Sequence, residues 1–155
     1  MVTIDIQDII LKLSLVFLGL IYPLIMLLWV GPLDSISAYF NTPAQVLFLL
    51  VNAGTSYYFV NTKGWVLPGI LLLFLSCFSI EFHLLLHNIF AVLFFILSTI
   101  TIFRSKRYSF LWVTVLLSSL GLFHSIFLAE YLAIINICLY HGLILRDMFK
   151  IRYLS

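Results

Sequence analysis

The sequence predicts an all-α fold, an integral membrane bundle of six transmembrane helices with both termini in the cytoplasm. Three observations carry that expectation. First, 64% of the 155 residues are hydrophobic and only 9% are charged, eight Lys and Arg against six Asp and Glu. Soluble domains run at ~25% charged and under ~50% apolar, so this composition excludes a soluble globular chain, a disordered tail and a fibrous repeat. Second, the apolar runs are either of spanning length or about twice that length. Third, six crossings collect every basic residue on one face. No internal repeat, low-complexity tract or linker interrupts the chain, so one domain over residues 1–155 suffices.

Crossing ~30 Å of hydrocarbon takes ~20 apolar helical residues. The first helix is read over residues 9–30 and is closed by Gly31-Pro32. The second covers residues 44–60, between Asn41-Thr42-Pro43 and Asn61-Thr62-Lys63-Gly64. Glycine, proline and asparagine at these places are stop signals. Residues 65–103 then form 39 residues without Lys or Arg, whose only helix breakers, Pro68 and Gly69, lie in the first turn. As one helix this run would be ~58 Å long at 1.5 Å per residue, so it must fold back. Its one polar interruption, Ser79-Ile80-Glu81-Phe82-His83, is where the hairpin belongs. After Arg104-Ser105-Lys106-Arg107, residues 108–148 make 41 more, and the same length argument places a turn near His124 to Glu130. A β-barrel would need ~10-residue alternation of apolar and polar positions, which a run such as Ile70-Leu71-Leu72-Leu73-Phe74-Leu75 lacks.

With six crossings Lys12, Lys63, Arg104, Lys106, Arg107, Arg146, Lys150 and Arg152, all eight basic residues, fall on one face. Short loops rich in Lys and Arg stay in the cytoplasm, which orients the chain in a bacterial inner membrane. The charge of +2 then serves topology and needs no nucleic acid. Asp5 and Asp8 precede the first apolar run and no small-x-small site follows Val30, so that helix is expected to stay rather than leave as a signal peptide. Cys77 and Cys138 sit in different helices at different depths, so no disulfide is expected.

On the opposite, outer side lie Asp34, Ser35 and Ser37 in the first loop, Glu81, His83 and His87 at the second hairpin, and His124 and Glu130 at the third. Ionisable side chains in or beside spanning helices are expensive and raise a functional hypothesis. His83 and His87, at i and i+4, would project from one helix face and could reach one metal. His124 could complete the ligand set for a divalent ion such as zinc. Glu81, Glu130 and Asp34 would be the catalytic carboxylates, one of them a general base toward metal-bound water. That is lipid hydrolysis at the outer leaflet. The plainer reading is that these side chains face water, cap helices or bond between helices. His-x-x-x-His is a weak signal, because Leu84 stands where zinc proteases carry glutamate. A pair such as His87 with His124, or a deeper one using His141, could instead hold a b-type haem. No helix carries the polar stripe of a pore. Asn52, Thr55, Ser56, Ser118, Ser119 and Gly121 suit close helix packing. Trp29, Trp65, Trp112, Tyr57, Tyr58, Tyr108 and Tyr131 fall near helix ends, as an aromatic belt would.

Residues 34–43, Asp-Ser-Ile-Ser-Ala-Tyr-Phe-Asn-Thr-Pro, resemble the loop of an uncharacterised bacterial family of small multi-pass membrane proteins with Ser-Ile-Ser-x-Tyr-Tyr at this place. Lys63-Gly64, His87 with Phe94-Phe95, and Glu130-Tyr131-Leu132-Ala133 extend the match. Gln45 and Val46 stand where that family carries Arg and Asp. The resemblance implies six membrane helices and little about activity. More remotely, Ser35, Asp34, His83, His87 and His124 supply the residue types of a metal-dependent superfamily that includes alkaline ceramidases and progestin-type receptors. Those proteins differ in having seven helices and a His pair in the last one. A competing class is a non-catalytic accessory subunit or assembly factor of a larger membrane complex. Its loops are too short for soluble partners, so it would meet lipids, other transmembrane subunits or a second copy within the bilayer.

Overall fold

The computed structural model describes residues 6–78, 80–121 and 123–153. Asp5 and Ser79, used above for the signal and hairpin readings, lie outside the described residues, as do the side chains of Trp112 and Arg152. Among the described residues the chain is all-helical, with no strand: α1 (Ile6–Val30), a 3-10 turn (Ser37–Asn41), α2 (Gln45–Val60), α3 (Val66–Cys77), α4 (Ile80–Arg104), a second 3-10 turn (Ser109–Leu111), α5 (Trp112–Gly121) and α6 (Ile126–Tyr153). Three stretches are long and apolar enough to cross a membrane, Gln7–Val30, His83–Arg104 and Ile126–Lys150. The other helices are shorter, with 16 residues in α2, 12 in α3 and 10 in α5.

The stop signals act as expected at the first two breaks. Gly31 ends α1 with φ +100°, and its N–H returns to the Leu27 carbonyl at 3.0 Å. This is the left-handed helix end for which glycine is suited. Gly64, at φ +85°, makes the turn between α2 and α3. The hairpin expected at residues 79–83 is a break after Cys77, where Phe78 is extended at φ −104°, ψ 107°. Irregular backbone recurs inside α4 at His83, with φ −141°, ψ 47°. The last turn comes earlier than expected, at residues 123–125, and α5 starts at Trp112 rather than 108. Glu130 therefore stands in the second turn of α6.

Packing is sequential. α1 lies against α2 and α6, α2 against α3, α3 against α4, and α5 against α6, whereas α4 meets α5 and α6 only sparsely. Small residues permit the closest approaches: Gly69 faces the α2 backbone, with Ser56 Oγ donating to its carbonyl at 2.6 Å, and Gly121 faces the Ala129 backbone. One core centres on Tyr58, Phe59, Trp65, Leu72, Phe94 and Tyr140, and another on Tyr22, Met26, Ile36, Tyr39 and Phe48. This corrects the aromatic-belt reading for three residues. Trp65 is 1% exposed, and Tyr58 and Tyr108 are buried, while Trp29 and Tyr57 remain open.

Side-chain contacts tie the basic residues to one end of the bundle. Lys12 pairs with Asp8 at 2.6 Å and lies 5.8 Å from the ring of Tyr58, near the end of α2. Thr101, near the end of α4, is 3.5 Å from the Gly64 carbonyl beside Lys63. Arg107 reaches Asp147 of α6 at 2.8 Å, Arg146 reaches it at 3.2 Å, and the Tyr108 hydroxyl donates to it. Asp147 thus gathers two cations and a phenol at the end of α6.

Candidate functional site: a roofed cavity and a side crevice

At the other end, the segment between α1 and α2 folds down onto α6. Glu130 Oε2 accepts the Ile36 N–H at 2.6 Å, and the Phe127 N–H donates to the Asp34 carbonyl at 3.0 Å. Ser35 Oγ accepts the Ala38 N–H at 3.2 Å and lies 3.3 Å from Ser37 Oγ. Tyr39 is fully buried, and its hydroxyl donates to the Gly31 carbonyl at 2.6 Å. Burial pushes that hydroxyl above the ordinary tyrosine value, so it stays a donor. Both serines, Tyr39 and Glu130 are thereby spent on holding one loop.

The expected site residues are dispersed. Among the described residues no three His, Cys, Asp or Glu side chains form a group that could hold a metal ion. His83 is exposed, and its ring meets the ring of Phe78 edge-on at 5.5 Å. The non-helical backbone at His83 removes the premise that it shares a helix face with His87. His87 is 2% exposed, and its Nδ1 donates to the Phe78 carbonyl at 2.6 Å. A carbonyl can only accept, so the proton sits on Nδ1 and the buried Nε2 keeps a lone pair with no partner among the described residues. His124 and Asp34 are exposed in loops, and Glu81 is exposed at the start of α4. Of the six, Glu130 joins parts of the chain distant in sequence through its carboxylate, and Asp34 does so through its backbone carbonyl.

Glu130 also lies where two hollows meet. A cavity of about 70 Å³ runs inside the bundle. Ile36 and Ser37 roof it, Tyr22 of α1 with Asn52 and Thr55 of α2 stand along its wall, and Tyr58 and His141 close its far end. A crevice of about 720 Å³ opens on the side between α4, α5 and α6, where packing is sparse. Asn88, Thr99, Ser118, Ser119 and Asn136 give it hydrogen-bonding groups, and Thr114 bonds Asn136 at its edge. Glu130, Phe95 and Ile137 line both hollows and form the partition between them.

Sequence reasoning set His141 apart as a deep residue but gave it no partner other than haem. In the structure it is 1% exposed, boxed by the rings of Tyr58, Phe59, Trp65 and Tyr140, with Nδ1 2.9 Å from the Tyr58 hydroxyl. Comparison with protein-family profiles, with curated proteins and with solved structures finds no significant match.

Proposed function

We propose that the chain is a multi-pass inner-membrane protein, crossing six times with both termini in the cytoplasm, that takes a membrane lipid into the crevice between α4 and α5. On this reading it is kin to the small multi-pass proteins it resembles around residues 34–43. Support for the crossings comes from charge: the contacts of Lys12, Arg107 and Arg146, and the approach of Thr101 to Gly64 beside Lys63, lie at one end of the bundle, and short basic segments stay inside. Support for the ligand comes chiefly from Glu130, a half-buried carboxyl between two hollows at the opposite end. The crevice runs along α4 from Asn88 to Ile102, about 21 Å at 1.5 Å per residue, a length suited to an acyl chain. Its hydrogen-bonding groups near Glu130 suit a polar head.

The geometry favours the lipid half of the expected activity over the metal half. His83, His87 and His124 do not fit a shared ion, since two are exposed at separate turns and the third is turned to the Phe78 carbonyl. No hydrolytic step is therefore derived through a metal. Elemental analysis of the purified protein tests this directly: stoichiometric zinc that disappears with His83→Ala, His87→Ala and His124→Ala would restore the hydrolase reading.

Vesicles carrying a phospholipid with a diazirine on its acyl chain test the lipid reading. Adducts should concentrate on Val92, Ile96, Val115 and Ala133, which line the crevice, and Ala133→Trp should abolish them. Adducts spread evenly over all exposed apolar faces would defeat the proposal. The second reading, an accessory subunit, draws on the exposed Asn88 and Ser119 in the crevice, since polar side chains there could bond a partner's helix. Its outcome in the same experiment would be an empty crevice in the isolated chain.

A further inference from the structure

We infer that the crevice between α4, α5 and α6 is a passage between leaflets, along which a membrane lipid with an uncharged, hydroxyl-bearing head moves from one side of the bilayer to the other. This rests on the six crossings and the lipid entry proposed above, and adds to them movement and a choice of head.

Hydrogen-bonding groups stand in the crevice at successive depths rather than at its mouth alone. They come from three helices, which is why no single helix carries a polar stripe. Along α4, Asn88 lies five residues inside the outer end of the apolar stretch His83–Arg104 and Thr99 lies five residues from its inner end, so each is about 7.5 Å from the nearer end of the span. Asn136 is ten residues along the stretch Ile126–Lys150, about 15 Å deep and near the centre of a ~30 Å hydrocarbon layer. The steps between come from α5: Gly121 faces Ala129 and Thr114 bonds Asn136, which sets Ser118 and Ser119 between those two levels. From outside inward the order is Asn88, Ser119 with Ser118, Asn136, then Thr99.

These groups are open to a guest. The Ser118 and Ser119 hydroxyls donate to the Thr114 and Val115 carbonyls at 2.9 and 3.1 Å, which leaves their oxygens as acceptors. The Asn136 amide bonds Thr114 through one of its two ends, which leaves the other. The Asn88 and Thr99 side chains have no hydrogen-bond partner among the described residues. Unaided crossing is slow because a polar head in hydrocarbon has nothing to bond. A glycerol or sugar hydroxyl both gives and takes hydrogen bonds, so a head bearing them moves from one step to the next with a partner at each depth. Charge makes the choice among heads. Among the described residues no Lys, Arg or His lines the crevice, whereas the Glu130 carboxyl does. A phosphate would meet a carboxyl at the outer end and no cation along the way, so anionic heads are turned back. Tails are not selected, because the sparse packing of α4 against α5 leaves the side open and they stay in the surrounding lipid.

The test uses the full chain in phosphatidylcholine vesicles with a trace of glucosyl-diacylglycerol that carries an NBD fluorophore on a short acyl chain, and dithionite added outside. Without passage only the outer-leaflet fluorophore is bleached. With the protein the inner share should follow, while phosphatidylglycerol with the same labelled chain should keep its inner share; that second lipid also reports leak, since dithionite that entered would bleach both. Thr99→Val keeps the side-chain shape and removes one step, so it should slow the inner bleaching about five- to tenfold, the worth of one hydrogen bond. Asn88→Leu, at an exposed side chain outside both cores, should do likewise. Inner bleaching no faster than in protein-free vesicles, equal rates for the two heads, or undiminished rates in folded Thr99→Val and Asn88→Leu would each overturn the passage. Diazirine adducts scored in the same vesicles separate this from the reading beneath it: adducts at Val92 and Ala133 without inner bleaching overturn the passage and spare lipid entry, whereas their absence removes both.

Discussion

Removing the Glu130 carboxyl should unfasten the outer loop. Its Oε2 accepts the Ile36 N–H at 2.6 Å, and the Ser37 N–H lies against the same group. Ile36 is 3% exposed and Ser37 7%, so alanine at 130 leaves these donors in a place water reaches poorly. A lost hydrogen bond to a charged group, or a buried donor left unmade, costs about 2 kcal/mol. That is roughly a thirtyfold change in a local opening equilibrium, since 1.4 kcal/mol is tenfold. Hydrogen exchange of the protein in nanodiscs, read on peptides covering residues 34–41, should show protection at 36 and 37 falling by about that factor in Glu130→Ala. Glu130→Gln keeps an acceptor oxygen and should lose no more than about tenfold, in line with a net ~0.5–1.5 kcal/mol for a neutral bond. The Phe127 N–H to Asp34 carbonyl bond persists in both variants and confines the opening to the loop. Unchanged protection in Glu130→Ala would refute the idea that this carboxyl is the clasp.

Cysteines placed at Lys63 and Glu81, with Cys77 and Cys138 replaced by serine, should react with an impermeant maleimide from opposite sides of the membrane; same-side reaction would refute six crossings. Gly69→Ala puts a Cβ 2.8 Å from the Val60 nitrogen and 2.9 Å from Phe59 Cβ, so melting in mild detergent should report a loss of ~1–3 kcal/mol. Gly142→Ala, whose nearest neighbour is Val16 at 3.9 Å, should be neutral or gain up to ~1 kcal/mol. Burial and the Asp147 carboxylate that accepts its hydroxyl push Tyr108 above the ordinary tyrosine value. A group raised on folding contributes fully below its unfolded value, about 10, and loses that contribution as pH climbs through the folded value. Stability should therefore decline on the alkaline side, and Tyr108→Phe should flatten that decline; parallel pH curves for the two proteins would refute the link.

Helix ends with backbone signals were legible in the sequence, because Gly31 and Gly64 are needed at positive φ and no other residue suits those turns as well. The hairpin in residues 65–103 was legible too, from length alone. What the pattern could not convey was long-range partnership. Trp65, Tyr58 and Tyr108 sit near helix ends as a belt residue would, and only the packing of α2, α3 and α6 turns them inward. The His83 and His87 pairing assumed regular helix, an assumption the backbone at His83 breaks. Glu130 stood out as a carboxyl in an apolar run, yet its partner is a backbone N–H 94 residues earlier, and a backbone group leaves no trace in side-chain spacing. His141 was conspicuous as a lone deep imidazole, but Tyr58 is one of eight tyrosines and nothing in its neighbourhood marks it as the partner.

The brevity of α5 bears on the surrounding lipid. Ten residues rise only about 15 Å, half of a ~30 Å hydrocarbon layer. If α5 crosses, the bilayer beside it must pinch inward, a mismatch that costs fractions of a kcal/mol per Å and is relieved where the membrane is already thin. The dimple falls on the flank where Ser118 and Ser119 line the crevice, so head groups there would descend toward the mid-plane. The protein should accordingly partition into short-chain lipid domains and fold best in them.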